Sequence, residues 1–316
     1  MSNKTKIGVL AVVAVGLIGL FLFIKMGSQW EYVLSRRGMK VFAMVLTGSA
    51  IAFSTLIFQT ITNNRILTPS IIGLDSLYLL IQTVIIYVFG SMSVAVLNKN
   101  LNFLICVVLM VLFSGILYNV LFKGEGRTIY FLLLIGIVFG TLFQSLSSVM
   151  QVLIDPNEFQ IVQDRMFASF NNIKTELVWI SCALMLGVVL YFLRFAKYLD
   201  VLSLGREHAV NLGVDYDDIV KRLLMIVAIL ISISTALAGP ITFLGLLVVN
   251  VAYEFIRTYR HKDLIAGSVL IGVIALVGGQ LIVERVFTFS TTLSVIVNFI
   301  GGVYFIYLLL KENRSW

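Results

Sequence analysis

Few residues in this sequence have side chains suited to covalent or metal chemistry, and they lie far apart. Its 316 residues include two histidines, His208 and His261, and two cysteines, Cys106 and Cys182. Neither histidine belongs to a set of Cys, Asp or Glu at metal-ligand spacing. Both cysteines fall inside apolar runs, where they read as small buried hydrophobes rather than a disulfide or ligand pair. No H-E-x-x-H, G-x-S-x-G, Walker A lysine loop or pair of intramembrane aspartates occurs. The chain is therefore expected to be non-catalytic, to hydrolyse no ATP itself, and to call for no metal or cofactor. Glu254 is the carboxylate best placed for an ion relay, with Arg257 one turn on; a capped, snorkelled helix end is the plainer reading of that pair. Asn119, Gln144, Gln280 and Asn298 could line a passage or hold helices together.

The longest polar interruption in the second half runs from Tyr198 to Arg222. Ser203 is placed to N-cap a short helix there, its hydroxyl accepting a free N–H of the first turn. Gly213 is placed to end that helix in the left-handed C′ conformation. Between them lie Arg206, Glu207 and His208, with Leu204, Ala209, Val210 and Leu212 available to pack. A short helix between two membrane spans would give a soluble partner a handle. A solvated loop with a frayed turn is the bland alternative.

The elements that hold this stretch are apolar. Hydrophobic residues make up 59% of the chain and charged ones 12%, with a mean hydropathy of +1.02. Soluble domains carry about a quarter charged residues, so this is the composition of an integral membrane protein. The net charge of +7 is dispersed between apolar runs, which suits anionic lipid and topology signals rather than nucleic acid. A membrane-crossing helix needs about 20 mostly apolar residues. Such runs fall near 7–24, 41–61, 71–97, 102–122, 129–153, 176–196, 222–238, 241–257, 264–287 and 293–310. The first is longer than the apolar core of a signal peptide and is taken as a span. Ala238-Gly-Pro240 separates the seventh from the eighth. An all-α polytopic membrane protein of about ten spans is expected, forming one domain over 1–316.

With the N-terminus inside, the 23 Lys and Arg residues divide 15 inside to 8 outside. The positive-inside rule therefore places both termini in the cytoplasm. Half of the outside charges sit in one loop, 25–40. That loop and 155–174 are each long enough for a short amphipathic helix. Small residues such as Gly48 and Gly272 should let membrane helices approach closely.

Several motifs then carry a resemblance. Arg37-Gly-Met-Lys40, Val45-Leu-Thr-Gly-Ser-Ala-Ile-Ala52, Asn64-Arg-Ile-Leu-Thr-Pro69 and Ile71-Ile-Gly73 are followed by Leu204-Gly-Arg-Glu-His-Ala-Val-Asn-Leu-Gly213, Ala238-Gly-Pro-Ile-Thr-Phe-Leu-Gly-Leu246 and Asn298-Phe-Ile-Gly-Gly-Val-Tyr-Phe-Ile-Tyr-Leu308. In this order and register, over about residues 36–310, the chain resembles the iron–siderophore and cobalamin ABC importer permeases, the transmembrane subunits of type II importers. It departs from them at Arg65 (a proline in the family's N-P-L-A), at Val249-Asn-Val-Ala-Tyr253 (P-H-x-A-R) and at Val303 (the closing proline). These departures fit a divergent branch, one of two unlike permeases that pair as a heterodimer, with a homodimer as the alternative.

The resemblance implies a permease subunit for a ferric siderophore in a bacterial cytoplasmic membrane, with haem or cobalamin as alternative cargo. It implies three protein partners: ABC ATPase subunits, a second permease chain and an extracytoplasmic binding protein. The ATPase would grip Ser203, Leu204, Gly205, Arg206, Glu207, His208, Leu212 and Gly213 in a coupling segment of about 198–222. The binding protein would dock at Arg37, Lys40 and Arg285. An ion-driven secondary transporter is the rival reading, and it requires intramembrane carboxylates or broken helices in symmetric places, neither of which the sequence offers convincingly.

Overall fold

The computed structural model describes residues 2–24, 30–121, 129–171 and 173–312. Lys25, Lys123, Arg127 and Arg314, which enter the charge count above, lie outside the described residues. Among the described residues the apolar runs form ten helices of thirteen residues or more: α1 (Asn3–Phe23), α2 (Trp30–Thr62), α3 (Leu74–Phe89), α4 (Lys99–Leu121), α5 (Ile129–Leu153), α6 (Thr175–Phe192), α7 (Tyr216–Ala238), α8 (Leu244–Ile256), α9 (His261–Arg285) and α10 (Leu293–Glu312). Eight of them are long and apolar enough to cross a membrane by length and composition, whereas α3 with 16 residues and α8 with 13 are not.

The two short helices have a common cause. Each is preceded by backbone outside any α-helix, at 63–73 before α3, where Pro69–Ile72 form a short 3-10 helix, and at 239–243 before α8. Pro69, Ile72, Gly73, Gly239, Pro240 and Ile241 are buried. Polar groups buried away from water must find partners, and side chains supply them here. The Arg65 carbonyl accepts from Gln59 Nε2 at 2.7 Å and from Asn250 Nδ2 at 2.9 Å. The Phe243 N–H donates to Asn298 Oδ1 at 3.3 Å. The two stretches meet where Thr242 Oγ1 donates to Asp75 Oδ2 at 3.3 Å. Paired interrupted helices and a carboxylate between them are features that the apolar run 71–97 conceals.

Gly73 shows why that run does not begin as helix. Its φ is +85°, a left-handed value that favours glycine, and an added Cβ would lie 2.7 Å from Gly140 Cα. Beyond α3, Gly90 at φ +75° ends the helix well before residue 97.

Helix α2 is the central rod, packed against α9, α7 and α8, with α1 outside α9, α4 against α7 and α5 against α3. Helices α2 and α9 approach closely at a pair of glycines. There a Cβ at Gly272 would meet the Gly48 carbonyl oxygen at 2.8 Å. Gly272→Val is therefore expected to cost about 1–3 kcal/mol through overpacking. A lowered thermal midpoint of the purified chain would register it, and an unchanged midpoint would contradict this packing.

Of the two expected outer helices, one forms: Pro156–Met166, started by Asp155, whose carboxylate accepts from the Asn157 N–H at 2.8 Å. Residues 30–40 form no separate helix but continue α2, which runs unbroken for 33 residues. Cys106 is fully buried beside Gln82, and Cys182 is partly buried.

Candidate functional site

The predicted handle is a pair of short helices rather than one. Leu199–Leu202 is followed by a turn at Gly205 with φ +93°, and then by Arg206–Asn211. Ser203 does not N-cap the second helix. It closes the first, with backbone angles in the right-handed helical region (φ −65°, ψ −15°) and its hydroxyl donating to the Asp200 carbonyl at 2.8 Å. A serine caps an N-terminus only where the backbone leaves the helical region, and here that departure comes two residues later, at Gly205. Gly213 does behave as expected. Its φ is +80°, the Gly213 N–H donates to the Val210 carbonyl at 2.9 Å, and the Val214 N–H donates to the Ala209 carbonyl at 3.1 Å. That pair of bonds is a Schellman motif, which satisfies the last carbonyls of the helix.

Packing divides this segment into an anchored and an open side. Leu199, Leu202 and Ala209 are fully buried, whereas Leu204, Val210 and Leu212 are 55%, 50% and 63% exposed. Arg206 pairs with Asp217 across the turn at 2.9 Å, both side chains being more than half exposed. The anchored side reaches the bundle through a polar joint. His261, the first residue of α9, donates its backbone N–H to Asp200 Oδ1 at 3.1 Å and sets Nδ1 against the same oxygen at 2.5 Å. Its Nε2 lies 2.9 Å from Thr60 Oγ1 in the last turn of α2. Desolvation pushes the Asp200 carboxyl up. The hydrogen bonds from His261 and the charges of His261 and Lys262 outweigh it and hold the carboxyl below its usual range.

At the opposite end the three predicted docking residues come together, and each has internal partners. The Arg37 guanidinium donates to the carbonyls of Phe21, Leu22 and Ile24 at 3.4, 3.0 and 2.8 Å, where α1 ends. Arg285 adds a bond to the Ile24 carbonyl at 3.3 Å. Two cations thus satisfy the unpaired carbonyls and the negative dipole of one helix end. Lys40 pairs with Glu284 at 2.7 Å and donates to Asn171 at 2.9 Å. Arg36 is exposed, in contact with the Tyr32 hydroxyl at 3.3 Å. Arg36, Arg37, Lys40 and Lys99, with Tyr32 and Phe289, line an open basic cleft of about 750 Å³.

Other polar residues sort themselves by burial. Gln280 and Asn298 bind neighbouring elements. Asn119 and Gln144 are exposed, and Gln144 shares one side of α5 with exposed Thr141, Ser145 and Ser148. Four polar side chains facing out of a membrane-length helix would pass unnoticed in an apolar run without burial to mark their face. Arg257 takes the cap of α8 at φ +53° and donates Nε to the Glu254 backbone carbonyl at 3.2 Å, as the helix-end reading expects. The departures at 65, 250 and 253 are neighbours. The Arg65 guanidinium lies 4.5 Å from the Tyr253 ring centroid, and Asn250 holds the Arg65 carbonyl.

Comparison with known proteins gives a consistent result. The model of the FecCD transport family matches residues 6–311. The petrobactin import system permease protein YclO of Bacillus subtilis (strain 168) is 69% identical over 316 residues, all of both chains. The petrobactin import system permease protein FatC of Bacillus anthracis is 38% identical over 281 residues, which is 89% of this chain and 79% of that one. Among solved structures, a metal-chelate type ABC transporter in an inward-facing conformation superposes with a TM-score of 0.82 at 21% identity, covering 98% of this chain and 100% of that one.

Proposed function

Because this chain belongs to the FecCD transport family, we propose that it is the permease subunit of an ABC importer that carries ferric petrobactin across a bacterial cytoplasmic membrane. The observation that carries this reading is the full-length 69% identity to a petrobactin permease. Relatives described as import permeases support movement, rather than chemistry, as the role of this chain. The polar side of α5, with Thr141, Gln144, Ser145 and Ser148 outward, supports a passage that a second permease chain completes. A polar face turned to lipid would be costly; turned to a water-filled path it is useful.

The coupling segment supports a contact with a separate ATPase. Its apolar side chains at 204, 210 and 212 are held out on a short, capped helix, while Ala209 and the Asp200–His261 joint fix it to the bundle. The end carrying this segment and both chain termini would then be cytoplasmic. The basic cleft at the other end supports docking of an extracytoplasmic binding protein, with Arg37, Lys40 and Arg285 building the platform and Arg36 offering its charge outward. Charge complementarity of this kind steers encounter and weakens with salt.

The substrate assignment is tested by complementation. In a strain lacking only its own counterpart of this chain, with the partner permease, ATPase and binding protein left in place, this chain should restore growth on ferric petrobactin as sole iron source. Restoration on haem, or of cobalamin uptake, without petrobactin would overturn the assignment.

A further inference from the structure

The polar joint beneath the coupling segment has a donor–acceptor arrangement that assigns it a role. Thr60 Oγ1 lies 2.8 Å from the Leu56 carbonyl and 2.9 Å from His261 Nε2. Asp200 Oδ1, as a carboxylate oxygen, can only accept, and it takes both the backbone N–H and the Nδ1–H of His261. Both ring nitrogens are therefore engaged, and one ring ties three elements together. The ring is buried, with its side chain 6% exposed, while the Asp200 carboxylate is 56% exposed at the edge of the moving part. Helix α9 has no cap of its own, since Arg260 at its N-cap position makes no side-chain cap bond. Asp200 supplies that acceptor from the coupling segment, 61 residues away in sequence.

We propose that His261 is a positioning residue which, through Asp200 on one side and Thr60 on the other, passes displacement of the coupling segment to α2 and α9 together. Apolar contacts of Leu199 and Leu202 hold the segment in place, but they slide. A buried ring held by hydrogen bonds on both sides does not, because separating it strands a buried polar group. The central rod α2 and the helix packed most intimately on it thereby receive the same push. This inference rests on the ATPase-coupling reading of the segment.

The test uses the complete importer, reconstituted with its ATPase and binding protein, and reads ferric petrobactin moved per ATP hydrolysed. Asp200→Asn and His261→Gln are each expected to lower that ratio by about tenfold. The double variant should be no worse than either single one, because both remove the same tie. Asp200→Glu, which keeps the charge, should retain most of the wild-type ratio. An unchanged ratio in Asp200→Asn, multiplicative losses in the double variant, or equal losses in Asp200→Glu and Asp200→Asn would overturn the proposal. Asp200 is at the surface, so its substitutions leave a folded chain to measure even where His261→Gln does not. Co-purification of the ATPase separates the two levels of argument. If the wild-type chain fails to hold the ATPase through this segment, the coupling reading fails; if it holds it and the ratio does not move, the joint alone fails.

Discussion

Alanine at both Val210 and Leu212 is expected to weaken the grip of the ATPase on this permease by about 30-fold or more, corresponding to about 2 kcal/mol. These side chains are half or more exposed although they belong to a rigid, capped helix. Apolar side chains held out together on a small rigid surface mark a contact site, and central apolar anchors carry most of the energy of such contacts. Alanine keeps the helix intact, since it is the best helix former, so a loss would report the contact and not unfolding. The nearby ion pair serves as the control. Arg206 and Asp217 are 57% and 56% exposed, and an exposed pair contributes less than about 1 kcal/mol. Asp217→Asn should therefore leave chain stability nearly unchanged. Equilibrium binding of the purified ATPase to detergent-solubilised permease measures the first and a thermal midpoint the second, and undiminished affinity in the double alanine variant would remove the apolar patch from the coupling site.

The second large effect separates architecture from docking at the opposite end. Arg37→Glu is expected to destabilise the chain by about 3 kcal/mol or more. It removes three charge-assisted bonds to the end of α1, each worth about 1.5–3 kcal/mol when fully sheltered, and sets a carboxylate against carbonyl oxygens. Arg36→Glu loses only a contact with Tyr32 and should change stability by about 0.5 kcal/mol or less. It should nevertheless slow binding-protein association at low salt, with the difference from wild type shrinking as salt rises. Thermal midpoints and association rates across a salt series distinguish the two variants. Equal stability losses, or an Arg36→Glu rate that ignores salt, would contradict this division.

Much of this was legible in the residues because membrane helices announce themselves by length and apolarity. Each of the ten runs holds a helix, but among the described residues only eight are long and apolar enough to cross a membrane; Gly213 took the left-handed turn assigned to it, and Pro156–Met166 formed behind its aspartate cap. Local readings failed where the deciding atom was remote. Ser203 has the right side chain for an N-cap, but the backbone turns at Gly205, so its hydroxyl closes the preceding helix instead. The run 71–97 is apolar throughout, yet Gly73 must accommodate Gly140 from α5 and takes a left-handed conformation, so that α3 begins only at Leu74. Arg37 and Lys40 read as surface charge, because the α1 carbonyls and Glu284 that engage them are assembled only by folding. The Asp200–His261–Thr60 joint was invisible for the same reason: three unremarkable residues on three segments share no motif.

The most direct test of the central claim is uptake of labelled ferric petrobactin by proteoliposomes that contain this chain, its partner permease and the binding protein, with and without the ATPase. The account predicts accumulation only when the ATPase and ATP are present, and its loss when Val210 and Leu212 are replaced by alanine. Accumulation without the ATPase, or undiminished uptake by the double alanine variant, would contradict it.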